Sequence, residues 1–243
     1  MFLFRFILAF FRLLWVILCT FLCGSGIVLE SLLKGKSYAI GFKYAGWWGR
    51  SICWGIGLKV NIKGQKPDLR AILMPNHRSY SDAFVFLAEN PSAFVAKAEL
   101  RKWPIVGYSA EAGGMIFVQR NSDESRKQTL IEMKKRLAAG FSVTIFPEGT
   151  TFSGPSVKDF RMGTFKLAAE GNIPIIPAAI DYAKPTDAWV DKEYFIPHFF
   201  RVFGYWKTKA TISFGEALTS DDAVFLHDEA KAFIVKSLAE MQE

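Results

Sequence analysis

The chain has 243 residues, 51% of them hydrophobic, with 23 phenylalanines and a formal net charge of +7. That length allows one large α/β domain with a sizeable core. Residues 1–70 hold 10 Lys/Arg against 2 Asp/Glu, and residues 71–243 hold 20 against 21. The basic excess therefore sits in an apolar N-terminal part, which argues for an anionic membrane surface and against nucleic acid as partner.

Residues 2–33 are nearly all apolar, with Arg5 and Arg12 near the start. The uncharged run Leu13–Leu29 spans 17 residues, about 25 Å as a helix against a hydrocarbon core of about 30 Å. A secretory signal peptide is the main alternative; it is disfavoured because no clean small-x-small site follows and a basic, Trp-rich stretch continues. Trp47, Trp48 and Trp54 beside Arg50 form an interface signature. A membrane-attached pair of helices over residues 1–58 is expected, and length leaves open whether the first spans or enters one leaflet. Cys19, Cys23 and Cys53 lie in the same part without a CxxC pattern, so they read as small core or lipid-facing residues rather than a disulfide or metal site.

From residue 59 onward the pattern is that of a single α/β domain with a mixed, largely parallel central sheet flanked by helices. Strands are expected at Val60–Ile62, Ala71–Met74, Phe94–Ala96, Met115–Gln119, Thr144–Phe146, Ile175–Ile180 and Ala210–Phe214. A helix is expected over Ser122–Ala139, capped by Ser122, with Asp123 and Glu124 in its first turn, Lys134, Lys135 and Arg136 in its last, and Gly140 as its stop. A final helix over about Ser220–Met241 places Leu226, Ala230, Phe233, Ile234 and Leu238 on one stripe.

The chemistry concentrates at strand ends. Asn76-His77-Arg78-Ser79-Tyr80-Ser81-Asp82 follows a buried strand and opens a helix. His77 and Asp82 can meet only if the first is still in the turn and the second in the helix's first turn. A carboxylate could then hold one ring nitrogen and leave the other as a base. Ser79-x-x-Asp82 is equally a capping-box pattern. Glu148 follows the strand that ends at Phe146 and is placed at the carboxyl edge where α/β sheets bind ligands, although an ordinary turn glutamate before glycine reads the same way; Arg120, just past another strand, could face the same mouth or be a surface cation. His77, His198 and His227 are the only histidines, none at metal-ligand spacing, so no metal is expected.

Taken in order, His77-x4-Asp82, Gly114-x2-Phe117-x2-Arg120, Phe146-Pro147-Glu148-Gly149-Thr150 and Ile173-Pro174-Ile175-Ile176-Pro177 resemble the glycerolipid acyltransferases, the bacterial 1-acylglycerol-3-phosphate type most closely. Ala96-Lys97-Ala98-Glu99-Leu100, with Pro104 and Gly107, resembles the segment between the first two motifs. The resemblance spans roughly residues 70–185. It implies acyl transfer from a thioester, acyl-CoA or acyl-carrier protein, to a lysolipid hydroxyl, with no other cofactor. It also implies His77 as general base and Asp82 as its orienting acid. Lys97, Arg120, Glu148, Gly149, Thr150 and Arg161 would then bind the substrate, and the enzyme would sit at a bacterial inner membrane with its site on the cytoplasmic side. No GxSxG turn is present, which argues against a hydrolase with a serine nucleophile. The pattern departs from many phosphatidate-forming relatives at Thr151, where an arginine is usual. Arg161 or Lys158 could substitute, or the acceptor could be lyso-ornithine or another aminolipid. The reading from a different class is a non-catalytic, membrane-docked lipid-binding module.

Overall fold

The computed structural model describes residues 2–35, 37–102, 106–119, 122–190 and 193–242. Two long helices come first, α1 (Phe2–Lys34) and α2 (Tyr38–Gly55). The rest alternates: β1 (Leu58–Lys63), β2 (Ile72–Pro75), α3 (Ser81–Glu89), β3 (Ala93–Lys97), α4 (Val106–Ala112), β4 (Ile116–Val118), α5 (Asp123–Ala138), β5 (Val143–Thr144), α6 (Gly163–Gly171), β6 (Ile175–Tyr182), α7 (Phe195–Phe203), β7 (Thr208–Phe214) and α8 (Ala223–Gln242). All seven expected strands are present.

Among the described residues the strands form one sheet in the order β1-β7-β6-β2-β5-β3-β4. Every neighbouring pair is parallel except β6 with β7. The sheet is thus mixed and largely parallel, and β2 lies inside it between β5 and β6. All four β2 residues are buried, as a strand covered on both faces requires. Side-chain alternation splits the core into two layers. Leu73 faces Phe84, Leu87 and the α7 residues Phe199 and Phe203, whereas Ile72 and Met74 face Leu137 of α5, Phe165 of α6 and Leu226 of α8.

The helices obey their local signals. The Ser122 hydroxyl accepts from the Ser125 amide at the start of α5, and Gly140 ends it with φ of +89°. Arg136 does more than complement the helix dipole: it is buried, bonds the Gly114 carbonyl and lies 4.0 Å from the Tyr38 ring centre. In α8, Leu226, Ala230, Ile234 and Leu238 are buried, whereas Phe233 is only half-buried.

The N-terminal helices belong to the same packed body. Ile52, Cys53 and Ile56 join the core layer of Phe84 and Leu87. The Trp15 ring lies over Gly55, where any Cβ would clash, and its indole N–H donates to the Ser51 carbonyl. Cys19 and Cys53 are buried and unpaired. Trp48 packs edge-on against Phe84 and donates to Thr20, so of the expected interfacial trio only Trp47 and Trp54 are exposed. Arg12 is not a lipid-facing charge. It is buried and donates to the carbonyls of Phe203, Tyr205 and Trp206, closing the carboxyl end of α7. The outer face of α1 carries Phe2, Phe6, Phe10, Leu14, Leu18 and Phe21 in the open. α1 is long and apolar enough to cross a membrane, with only 17% of its most apolar window buried, and this exposed face suits membrane association.

Candidate active site

β2 ends at Pro75, and the chain then needs a reason to stay beside β6. Asn76 supplies it: its side-chain amide donates to the Ile180 carbonyl and its side-chain oxygen accepts from the Ile180 amide, extending the strand pairing by one residue. His77 follows in the turn. Its ring nitrogen Nδ1 lies 2.8 Å from Asp82 Oδ2, and its ring stacks on Phe146 with centroids 3.9 Å apart. Asp82 sits in the first turn of α3 and is fully buried. The pair therefore meets in the one arrangement that five-residue spacing allows.

The Asp82 carboxylate is surrounded by donors. Oδ2 accepts from the backbone amides of Arg78 (2.7 Å) and Ser79 (2.9 Å) and faces the imidazole, and Oδ1 accepts from the Tyr182 hydroxyl at 2.7 Å. An ionised carboxylate only accepts, so Nδ1 carries the proton and Nε2 is left with its lone pair. Nε2 makes no hydrogen bond among the described residues, and the His77 side chain is 14% exposed. A base held by a buried acid and open on its far side is the result.

Glu148 is brought beneath His77 from the end of β5. Its Oε1 accepts from the His77 amide at 2.8 Å and its Oε2 from the Lys158 amide at 2.9 Å. Burial raises its carboxyl above the usual range, opposed by the Lys158 and His77 amides. Both oxygens thus staple the histidine turn to the loop after Gly149. The His77 carbonyl accepts from the Phe152 amide, and the buried Arg78 guanidinium donates to the carbonyls of Phe152, Gly154 and Ser156. The result is a hydrogen-bonded strap around His77.

Gly149 adopts φ of +68°, and a Cβ there would stand 2.9 Å from the Arg161 Nε. Arg161 lies over this turn and, with Val118, Phe146 and Thr164, lines a cleft of about 520 Å³. Among the described residues it has no salt-bridge partner. Thr150 is exposed at the same turn. Lys97 ends β3 and pairs with Glu99 at 3.2 Å, both well exposed. Arg120 and Pro104 lie outside the described residues. A smaller apolar cavity of about 100 Å³ opens among α1, α2, α4 and β3, lined by Cys23, Ile27, Trp48, Phe94 and Met115. No group of three or more His, Cys, Asp or Glu residues that could hold a metal is found among the described residues.

Sequence reasoning missed Tyr182, Phe146 as a stacking partner, and Arg78. Tyr182 carried a faint signal: it is a polar residue at the carboxyl end of a strand parallel to β2, on the edge where sites form.

This is a sheet protein with a hydrogen-bonded His-Asp pair at its carboxyl edge, and comparison with known proteins gives it a family. The acyltransferase profile matches residues 58–181, just over half the chain. The chain belongs to the acyltransferase family. It is 35% identical over 140 residues to the lyso-ornithine lipid O-acyltransferase of Pseudomonas aeruginosa, covering 57% of this chain and 53% of that one. It is 30% identical over 193 residues to the protein of the same name in Rhizobium meliloti, covering 72% and 66%. It is 30% identical over 131 residues to the 1-acyl-sn-glycerol-3-phosphate acyltransferase of Neisseria meningitidis, covering 54% and 51%. The matches thus span about half to two thirds of these relatives' lengths. The crystal structure of the 1-acyl-sn-glycerophosphate acyltransferase of Thermotoga maritima superposes with a TM-score of 0.74 at 20% identity, over 97% of this chain and 95% of that one, and so shares the fold.

Proposed function

We propose that the protein is a membrane-associated O-acyltransferase. It moves a fatty acyl group from acyl-CoA or acyl-carrier protein to the free hydroxyl of 1-acyl-sn-glycerol-3-phosphate, giving phosphatidic acid. The observation that carries this is the His77 Nδ1–Asp82 contact with Nε2 left open. Nε2 takes the hydroxyl proton as the oxygen attacks the thioester carbonyl. The C–O bond forms, the C–S bond breaks, and the proton passes from the imidazolium to the departing thiolate. Asp82 holds the ring in its tautomer and balances the imidazolium charge. No covalent enzyme intermediate and no resident cofactor are needed. Arg161 over Gly149 offers a cation to an anionic head group, with Lys97 and Thr150 as further contacts and Arg120 added on the family resemblance alone. The apolar cavity beside α1 offers room to an acyl chain. The exposed face of α1 rests in the bacterial inner membrane, with the site on the cytoplasmic side.

A second reading keeps the chemistry and changes the acceptor to lyso-ornithine lipid or another lyso-aminolipid. Thr151, where an arginine was expected, favours it, and so do the names of two of the relatives. A donor-by-acceptor panel on purified protein in detergent decides between them. Saturable thiol release with lysophosphatidate, lost in Arg120→Ala, supports the first acceptor. Saturation by lyso-ornithine lipid alone supports the second. Absence of any lysolipid-dependent thiol release overturns both and leaves a lipid-binding module. In either case His77→Ala lowers turnover at least about 10²-fold with its thermal unfolding unchanged, and near-normal turnover refutes the assigned base.

A further inference from the structure

The Asp82 carboxylate has no contact with water, so the charge it presents to His77 is set by its hydrogen-bond donors alone. Two of these are backbone amides of its own turn. The remaining donor comes from the far side of the sheet edge: the hydroxyl of Tyr182, the last residue of β6, 2.7 Å from Oδ1. The same hydroxyl lies 2.8 Å from the Ser81 hydroxyl. A phenol has one proton, and the carboxylate can only accept. Tyr182 must therefore donate to Asp82, and Ser81 must donate to Tyr182. The proton order is fixed: Ser81 to Tyr182, Tyr182 to Asp82, and His77 Nδ1 to the other oxygen of Asp82.

We infer that Tyr182, oriented by Ser81, is a positioning residue for the acyl-transfer base: it withdraws charge from Asp82 Oδ1 and so limits how strongly Asp82 holds the imidazolium form of His77. This rests on His77 being the base proposed above. Burial and the neighbouring Asp82 charge push the Tyr182 hydroxyl well above the usual phenol range, so it stays protonated as a donor. The other charged or titratable groups around the pair are Glu148 beneath the His77 amide, Arg78 of the same turn with Asp181 of β6, and Cys53 of α2. Tyr182→Phe leaves all of them in place. It keeps the ring that packs in the core and removes only the donor.

A dry carboxylate stripped of one donor draws the imidazolium closer in energy. In Tyr182→Phe the acidic limb of kcat/KM moves to higher pH by about half a unit or more, so turnover on the acidic side of the limb falls about 3-fold for each half unit, with KM for both substrates within about 2-fold. Ser81→Ala, which lets the phenol oxygen go unsupported, moves the limb the same way by less. The limb is measured with a thioester donor and whichever lysolipid the wild type accepts. In parallel, 15N-histidine NMR in detergent follows the His77 ring, separated from His198 and His227 by comparison with His77→Gln. An upward shift in both readouts supports the inference. An unmoved limb, a limb moved to lower pH, or lost turnover with the His77 titration unchanged overturns it. If Tyr182→Phe does not fold, Ser81→Ala is judged by the same criteria. A wild type that transfers no acyl group defeats the proposed reaction, whereas the NMR arm still tests the Tyr182–Asp82–His77 coupling without substrate.

Discussion

The residue that limits the site most sharply is Gly149. It carries a positive φ and lies under the Arg161 guanidinium, so it has two separate reasons to lack a side chain. Gly149→Ala brings about 1–2 kcal/mol of backbone strain and pushes Arg161 off the turn. The expected outcome is a thermal midpoint lowered by several degrees and an acceptor KM raised more than kcat is lowered. Steady-state kinetics beside calorimetry check both. At this scale much was legible in advance. His77 and Asp82 could be paired from their spacing, because only one backbone geometry lets residues five apart touch across a strand-to-helix turn. Glu148 was placed at the right edge, but its partners were not legible. A carboxylate aimed at two backbone amides, rather than outward, depends on how the loop 149–160 folds back over His77, and no local pattern encodes that. Tyr182 was only faintly legible for the same reason: its partner is 100 residues away.

At the scale of elements, α7 shows how a buried histidine can be structural. His198 is fully buried in α7, with Nδ1 3.1 Å from the Tyr80 hydroxyl and Nε2 3.1 Å from the Ala188 carbonyl. The Ala188 carbonyl requires a proton on Nε2, and in the neutral ring that burial favours, Nδ1 accepts from the Tyr80 hydroxyl. Burial lowers its pKa from the ordinary 6.5. The sign follows: the folded state resists protonation and the unfolded state does not. The contribution is fully present above the ordinary histidine range and is lost as pH falls through the folded value. The wild type should therefore lose thermal stability between about pH 7.5 and pH 5, and His198→Gln should lose less over that interval. Melting curves across that range check it, and equal losses refute the assignment. Strand and helix existence followed from hydrophobic period and caps, and Ser122 and Gly140 bounded α5 as expected. Strand ends did not follow so well. β5 stops at Thr144 although the apolar run continues through Phe146, whose ring stacks on His77.

For the whole molecule, the apolar N-terminal part has two faces with opposite duties. Composition revealed the outer one. The inner one depends on contacts with chain segments about 190 residues distant, such as Arg12 with Phe203 and Tyr205, and was not legible. Because α1 covers Ile52, Cys53 and the α7 end, a chain lacking residues 2–34 should not yield a soluble catalytic domain. It should elute as aggregate and lose its fixed tryptophan environment, measured by size exclusion and fluorescence. A monodisperse, folded product would contradict the packing described here. The Arg12 latch has one more consequence. A protein tied to a bilayer by a slack tether can tilt and rise to meet lipids at many depths. In the membrane seat proposed above, the greasy helix and the histidine shelf are bolted together, so the height of Nε2 above the acyl layer would be a fixed length of the molecule. Lipids would then be sorted by how far their hydroxyl stands out of the membrane, before any head group is touched.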